Sequence, residues 1–197
     1  MPDDKSGRES QAQNTDRRQR ERAVAEELER WDETEPELDE SELNAVETAV
    51  ESLSFPATGA EVIDAVGHHE VETPEGTYAI EELVPETDAE AFESPAALRT
   101  RVARPTVAAS MKRIVEASSD LTRDPLGSQG TAYEKTLRAL KAIDADDDDE
   151  GVGVITDWIV GEIHEGNHPS SRDVRRRAAA FCRDQGYEVR SDDWLDV

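Results

Sequence analysis

The pentapeptide H-E-G-N-H at residues 164–168 matches the H-E-x-x-H pattern of zinc peptidases. In those enzymes, two histidines four residues apart on one unbroken helix bind the metal, and the glutamate acts on the metal-bound water. Here Gly166 and the asparagine after it tend to terminate helices, and Pro169 disfavours helical geometry at His168. We therefore predict that the helix ends between residues 165 and 167 and that zinc does not bind at His164 and His168.

An acidic stretch before this helix partly matches the twelve-residue calcium loop of EF-hand proteins, with carboxylates at positions 1, 3, 5 and 12. These carboxylates are Asp146, Asp148, Glu150 and Asp157. However, Val152, Ile155 and Ile159 have helical spacing. A helix that begins near Asp149 would therefore include most of the residues that a calcium loop needs. We therefore expect a helix start here rather than a calcium site.

The last predicted helix, at about residues 171–185, is rich in arginine. Together with predicted helices at about residues 131–144 and 151–164, it gives an arrangement similar to a helix-turn-helix module. Basic side chains along such a helix can contact DNA phosphates. Four arginines are therefore the candidate nucleic-acid-binding residues: Arg172, Arg175, Arg176 and Arg183.

The same helix also has the pattern of a purely structural helix. Four of its residues have the spacing of one buried face: Val174, Ala178, Phe181 and Cys182. We expect this face to pack against the helices that contain Leu137 and Ile159, with Trp158 and Trp194 closing the core. Two aspartates interrupt the arginines, and high salt weakens the counterion release that drives DNA binding. The sequence thus favours a structural helix, with DNA contact as the alternative.

The elements around these residues predict a mainly α protein with a small β-hairpin. Thr58 and Ser94 can cap short helices, and the Pro-Glu-Gly sequence at residues 74–76 is a hairpin turn signal. Proline and glycine at residues 118–130 predict a loop. We predict three parts: a disordered or loosely helical arm at residues 1–40, a small α+β module at residues 41–103, and a C-terminal helical module at residues 105–197.

The turn and cap residues of the segment 55–102 resemble those of a family of haloarchaeal proteins of unknown function. The similar features are the Phe-Pro-Ala-Thr sequence at 55–58, the hairpin at 70–78 and the Phe-Glu-Ser-Pro sequence at 92–95. The arginine-rich sequence at 16–22 extends the resemblance to the head of the chain, so that it covers about the first half. The resemblance implies a soluble, cytoplasmic archaeal protein, and it supplies no functional residues.

The charge of the chain is extreme, with a net value of −25 over 197 residues, and it is unevenly distributed. Residues 31–98 contain twenty carboxylates and no lysine or arginine. Such a composition keeps a protein hydrated where salt screens charge over short distances, which indicates adaptation to a salty cytoplasm. The alternative is an acidic surface that binds a basic partner.

We predict that folding depends on salt. The twenty carboxylates of residues 31–98 repel one another at low ionic strength, where the Debye length is about 30 Å at 0.01 M. Circular dichroism across a KCl series should therefore show the helical signal and its cooperativity increasing with salt. A cooperative fold in dilute buffer that gains no stability in molar KCl would contradict this prediction.

The sequence favours a non-enzymatic interaction or regulatory protein that needs no cofactor and has an unidentified protein partner. Cys182 is the single cysteine, which excludes a disulfide framework within the chain. No apolar run approaches the roughly 18 residues that span a bilayer, and the N-terminus lacks the apolar core of a signal peptide. We therefore expect a cytoplasmic protein without membrane contact. The alternatives are a DNA-associated regulator and, more remotely, a metal-dependent hydrolase at residues 164–168.

Overall fold

A computed structural model describes residues 48, 50, 53–121, 126–143 and 149–187, all of which lie in one compact unit, Pro36–Val197. Several predictions fall on residues outside this set. They are the N-terminal arm, the acidic residues Asp146 and Asp148, and the closure of the core by Trp194. The proposed division into residues 1–40, 41–103 and 105–197 likewise stays a prediction.

The first part of the described chain alternates short strands and short helices. Its elements are β1 Ala57–Thr58, α1 Gly59–Val66, β2 Glu70–Thr73, β3 Gly76–Ala79, α2 Ile80–Leu83, β4 Ala91–Phe92 and α3 Pro95–Val102. The predicted caps are present, because Glu61 N donates to Thr58 Oγ1 at 3.2 Å and Ala97 N donates to Ser94 Oγ at 3.2 Å.

This part of the chain contains two small antiparallel sheets. β2 pairs with β3 around a two-residue turn, which confirms the predicted hairpin. β1 pairs with β4, a contact that the sequence did not indicate because two-residue strands carry no alternating pattern. The second pairing brings the chain after Pro85 back against the start of α1, where Gly59 N donates to Glu90 O at 2.9 Å.

Four longer helices follow: α4 Pro105–Leu121, α5 Gly127–Lys141, α6 Glu150–His164 and α7 Ser171–Gln185. The predicted loop at 118–130 was too long, since α4 continues to Leu121 and α5 begins at Gly127. Gly130 misled the prediction because it lies inside α5, buried close to Leu126 and Met111, and does not break the helix. The predicted bounds of α7 are confirmed, with Gly186 as its left-handed C-cap at φ 71°.

The apolar side chains form two clusters that share one helix, α4. Ala108 of α4 belongs to the cluster of the first module, whereas Met111 and Ile114 belong to the cluster of the C-terminal helices. This second cluster also contains Leu137 and Ile159, together with three of the predicted inward residues of α7: Val174, Ala178 and Cys182. Phe181 and Trp158 are half-buried against it.

The architecture confirms a mainly α protein with a small hairpin. In the part of the chain that the structure describes, none of the helices combines the length and the apolar character that crossing a bilayer requires.

Candidate functional site

The start of α7 is fixed by a reciprocal pair of hydrogen bonds. Asp173 N donates to Ser170 Oγ at 3.2 Å, and Ser170 N donates to Asp173 Oδ2 at 3.2 Å. The Ser170 hydroxyl also donates to the same carboxylate oxygen at 2.6 Å. These hydrogen bonds from Ser170, together with the charge of Arg176, hold the pKa of Asp173 below its usual range. The cap therefore fixes the residue at which α7 begins, and with it the positions of the arginines around the helix.

Three of the candidate arginines share one exposed side of α7, and we call Arg172, Arg176 and Arg183 the arginine row. At about 100° per residue, Arg176 lies about 40° and Arg183 about 20° around the helix from Arg172. The row is about 16 Å long, from eleven residues at about 1.5 Å each. Arg177, also exposed, lies about 140° away from Arg172 and so faces another direction.

The contacts of the arginines combine features of the two hypotheses. Arg176 Nη1 lies 3.4 Å from Asp173 Oδ1 in an exposed pair, which a structural helix would show. Arg175 is half-buried, and its Nε donates to Ser171 O at 3.3 Å, so it does not extend the row. Among the residues that the structure describes, no carboxylate lies within 4.0 Å of Arg172 or Arg183. The helix therefore buries one face, as a structural helix does, and exposes the arginine row on another.

The H-E-G-N-H sequence lies at a helix end. α6 ends at His164, one residue before the predicted range, with Glu165 as C-cap and Gly166 at φ 82°. His164 and His168 are both exposed. Asn167 closes the helix end, because its N donates to Glu162 O at 2.8 Å and its Nδ2 donates to Glu162 Oε2 at 3.1 Å. Within the described ranges, no group of three or more potential ligand side chains is positioned to hold a metal ion.

Two described carboxylates within the segment that resembles a calcium loop, Asp149 and Asp157, contact cationic side chains instead. α6 begins at Glu150 with Asp149 as N-cap, as the spacing of the apolar residues predicted. Asp149 Oδ2 accepts from Lys141 Nζ at 2.6 Å, and Asp157 Oδ1 accepts from Arg113 Nη2 at 2.7 Å. Burial acts to lower the pKa of Lys141, but the hydrogen bond to Asp149 and the charge of Glu75 outweigh it and raise that pKa.

A further polar site was missed by the sequence analysis. Arg101 on α3 donates from Nη2 to Glu90 Oε1 at 2.6 Å, and the same nitrogen lies 3.6 Å from Glu134 Oε2 on α5. The side chain of Arg101 is only 10% exposed, and its guanidinium carbon lies 5.9 Å from the centre of the Phe92 ring. Burial raises the pKa of Glu90, although the charge of Arg101 opposes the shift.

This ion pair borders a cleft of about 210 Å³, which we call the charged cleft. Its walls come from the segment around Glu90, from α3, from Met111 and Val115 on α4, and from the first turns of α5. The sequence offered one signal for it: Arg101 is among the first cations after a stretch of twenty carboxylates without lysine or arginine. Such a cation is well placed to neutralise a carboxylate in the preceding module, but the spacing alone does not name Glu90.

Comparison with known proteins adds one finding. No curated protein and no solved structure matches the chain. One family model matches residues 40–113, which end within α4, and the charged cleft takes Glu90 and Arg101 from this matched segment. The match begins after residues 16–22, so that part of the resemblance stays a prediction. Residues 40–113 match the Family of unknown function (DUF5789), which confirms a resemblance to a family of unknown function in the N-terminal half, while its haloarchaeal origin stays a prediction.

Proposed function

We propose that this chain is a non-enzymatic interaction or regulatory protein of a salt-rich cytoplasm, and that it binds an acidic protein partner through the arginine row. The observation that carries the proposal is the position of Arg172, Arg176 and Arg183. All three are exposed on one side of a helix whose other side is buried against Leu137 and Ile159.

The arginine row differs in charge from the chain as a whole. With a net charge of −25, most of the surface repels acidic molecules that come within the short screening distance of a salt-rich cytoplasm, so a local cluster of cations is where an acidic partner can bind. Arginine also suits this role because its planar guanidinium can donate two parallel hydrogen bonds to one carboxylate. The surface would thus provide specificity through charge, with the rest of the protein excluding other acidic molecules.

The test is affinity purification of the tagged full chain from cells at native salt, followed by mass spectrometry and by assay for nucleic acid. The variant Arg172→Ser, Arg176→Ser, Arg183→Ser should recover about tenfold less of its acidic partner. This estimate takes three exposed charge contacts at about 0.5 kcal/mol each. Circular dichroism should show an unchanged fold, because all three side chains are exposed.

The matched control is the variant Arg113→Ser, Lys135→Ser, Arg177→Ser, which removes the same charge from exposed positions outside the row. It should recover the partner as the unsubstituted chain does. Equal losses in the two triple variants would show that net charge alone matters, and recovery that is unaffected in both would exclude the arginine row as the binding surface.

The second candidate function is that of a DNA-associated regulator that binds DNA through the arginine row. The row of about 16 Å is long enough to contact more than one phosphate along a DNA strand, and this observation favours the alternative. The same purification separates the two functions. Nucleic acid that is recovered with the unsubstituted chain and lost with the substituted row would favour the DNA-associated function.

A further inference from the structure

The ion pair that borders the charged cleft has two buried polar atoms without a partner among the described residues. They are Nη1 of Arg101 and Oε2 of Glu90, the atoms of the ion pair that are not used in its short hydrogen bond. One is a donor, and the other accepts when the carboxylate is ionised. Unpaired buried groups of this kind are rare in folded proteins, because each one loses its hydrogen bonds to water without replacing them.

The two atoms belong to one ion pair, so one ligand group placed between them would satisfy both. It must accept a hydrogen bond from Arg101 Nη1 and donate one to Glu90 Oε2. A primary carboxamide does so, because its carbonyl oxygen accepts while its NH₂ group donates. A hydroxyl group also combines the two functions, but on one atom.

The charges of the cleft select against acidic ligands. Arg101 is one cation between two carboxylates, Glu90 and Glu134. With all three ionised the cluster is net negative, so a carboxylate or phosphate ligand would be repelled. An uncharged ligand avoids this repulsion and still makes both hydrogen bonds.

The rest of the cleft is suited to a small apolar body. Met111, Val115 and Leu126 contribute apolar side chains to its wall, and Gly130 lines it without a side chain. The volume of about 210 Å³ lies below the roughly 300–1,000 Å³ of sites for drug-sized molecules. The ligand must therefore be small.

We infer that the charged cleft is a binding site for a small uncharged molecule that carries a primary carboxamide on an apolar body. The carboxamide bridges Arg101 and Glu90, and the apolar body contacts α4 and the start of α5. Because both polar atoms are covered, binding includes a small movement of side chains around them. This inference does not depend on the arginine row.

The probes for the test are benzamide and benzoate, which share a shape and differ in the group that the cleft distinguishes. Saturation-transfer NMR on the full chain in molar KCl should show benzamide binding with a dissociation constant on the order of 1 mM. Benzoate should bind at least about tenfold more weakly, because its carboxylate meets two carboxylates and cannot donate to Glu90.

Two variants locate the binding. Thr131→Trp, at an exposed position of α5 that lines the cleft, should block it and abolish the benzamide signal. Lys135→Trp, exposed on the same helix but outside the lining, is the control and should bind normally. Glu90→Gln should weaken binding about tenfold, because it removes the ionised acceptor. Absent benzamide binding, equal binding of benzamide and benzoate, or full binding to Thr131→Trp would overturn the inference.

Discussion

Replacing Arg101 with leucine should lower the free energy of unfolding by about 3 kcal/mol, because it leaves Glu90 buried without its cation. The two side chains are 10% and 19% exposed, so water cannot fully replace the lost partner. The substitution also removes the guanidinium from the face of Phe92. Urea unfolding in molar KCl, followed by circular dichroism, measures the change.

Two further variants test this explanation. Arg113→Leu breaks an exposed pair, in which Arg113 and Asp157 are 54% and 67% exposed, and should cost no more than about 0.5 kcal/mol. The double variant Glu90→Leu, Arg101→Leu removes the stranded charge and should recover most of the stability that Arg101→Leu loses. If Arg101→Leu costs no more than Arg113→Leu, the buried pair does not stabilise the contact between α3 and the segment that contains Glu90.

Gly59→Ala should destabilise the chain by about 3 kcal/mol, because α1 begins in direct contact with the segment before β4. A Cβ atom at Gly59 would lie 2.1 Å from Pro85 O and 3.2 Å from Thr87 O, both backbone atoms. Gly59 N also donates to Glu90 O at 2.9 Å, so the clash would disturb the segment that carries Glu90. The urea midpoint should fall accordingly.

The control for this prediction is Gly153→Ala on α6. A Cβ atom there has no neighbour within 4 Å, and alanine is the better helix former, so stability should rise by about 0.5–1 kcal/mol. Equal effects of Gly59→Ala and Gly153→Ala on the free energy of unfolding would show that the close backbone contact at Gly59 does not require a glycine.

The features that could be predicted from the sequence are those encoded by neighbouring residues. Thr58 and Ser94 cap helices through residues three positions away, and Gly186 ends α7 by adopting a left-handed conformation. The hairpin follows from a turn signal between its two strands. Each of these features depends on interactions between residues only a few positions apart, so the residue types in the sequence are enough to predict it.

The features that could not be predicted depend on contacts between distant residues. Arg101 contacts Glu90 and Glu134 across three elements, and nothing in the spacing distinguishes Glu90 from its acidic neighbours. Gly130 looks like a helix breaker in the sequence, yet it is a buried helical position close to Leu126 and Met111. Among the candidate arginines, Arg175 lies beside the exposed Arg176 in sequence, yet it is half-buried on α7.

Arginine footprinting tests the proposed binding surface most directly. The full chain, alone and with its captured partner, would be treated with phenylglyoxal, and modification of each arginine would be read by mass spectrometry. The proposed binding surface predicts that Arg172, Arg176 and Arg183 become protected in the complex, while the exposed Arg113 and Arg177 are modified as in the free chain. Protection of Arg113 or Arg177 without protection of the arginine row would contradict it.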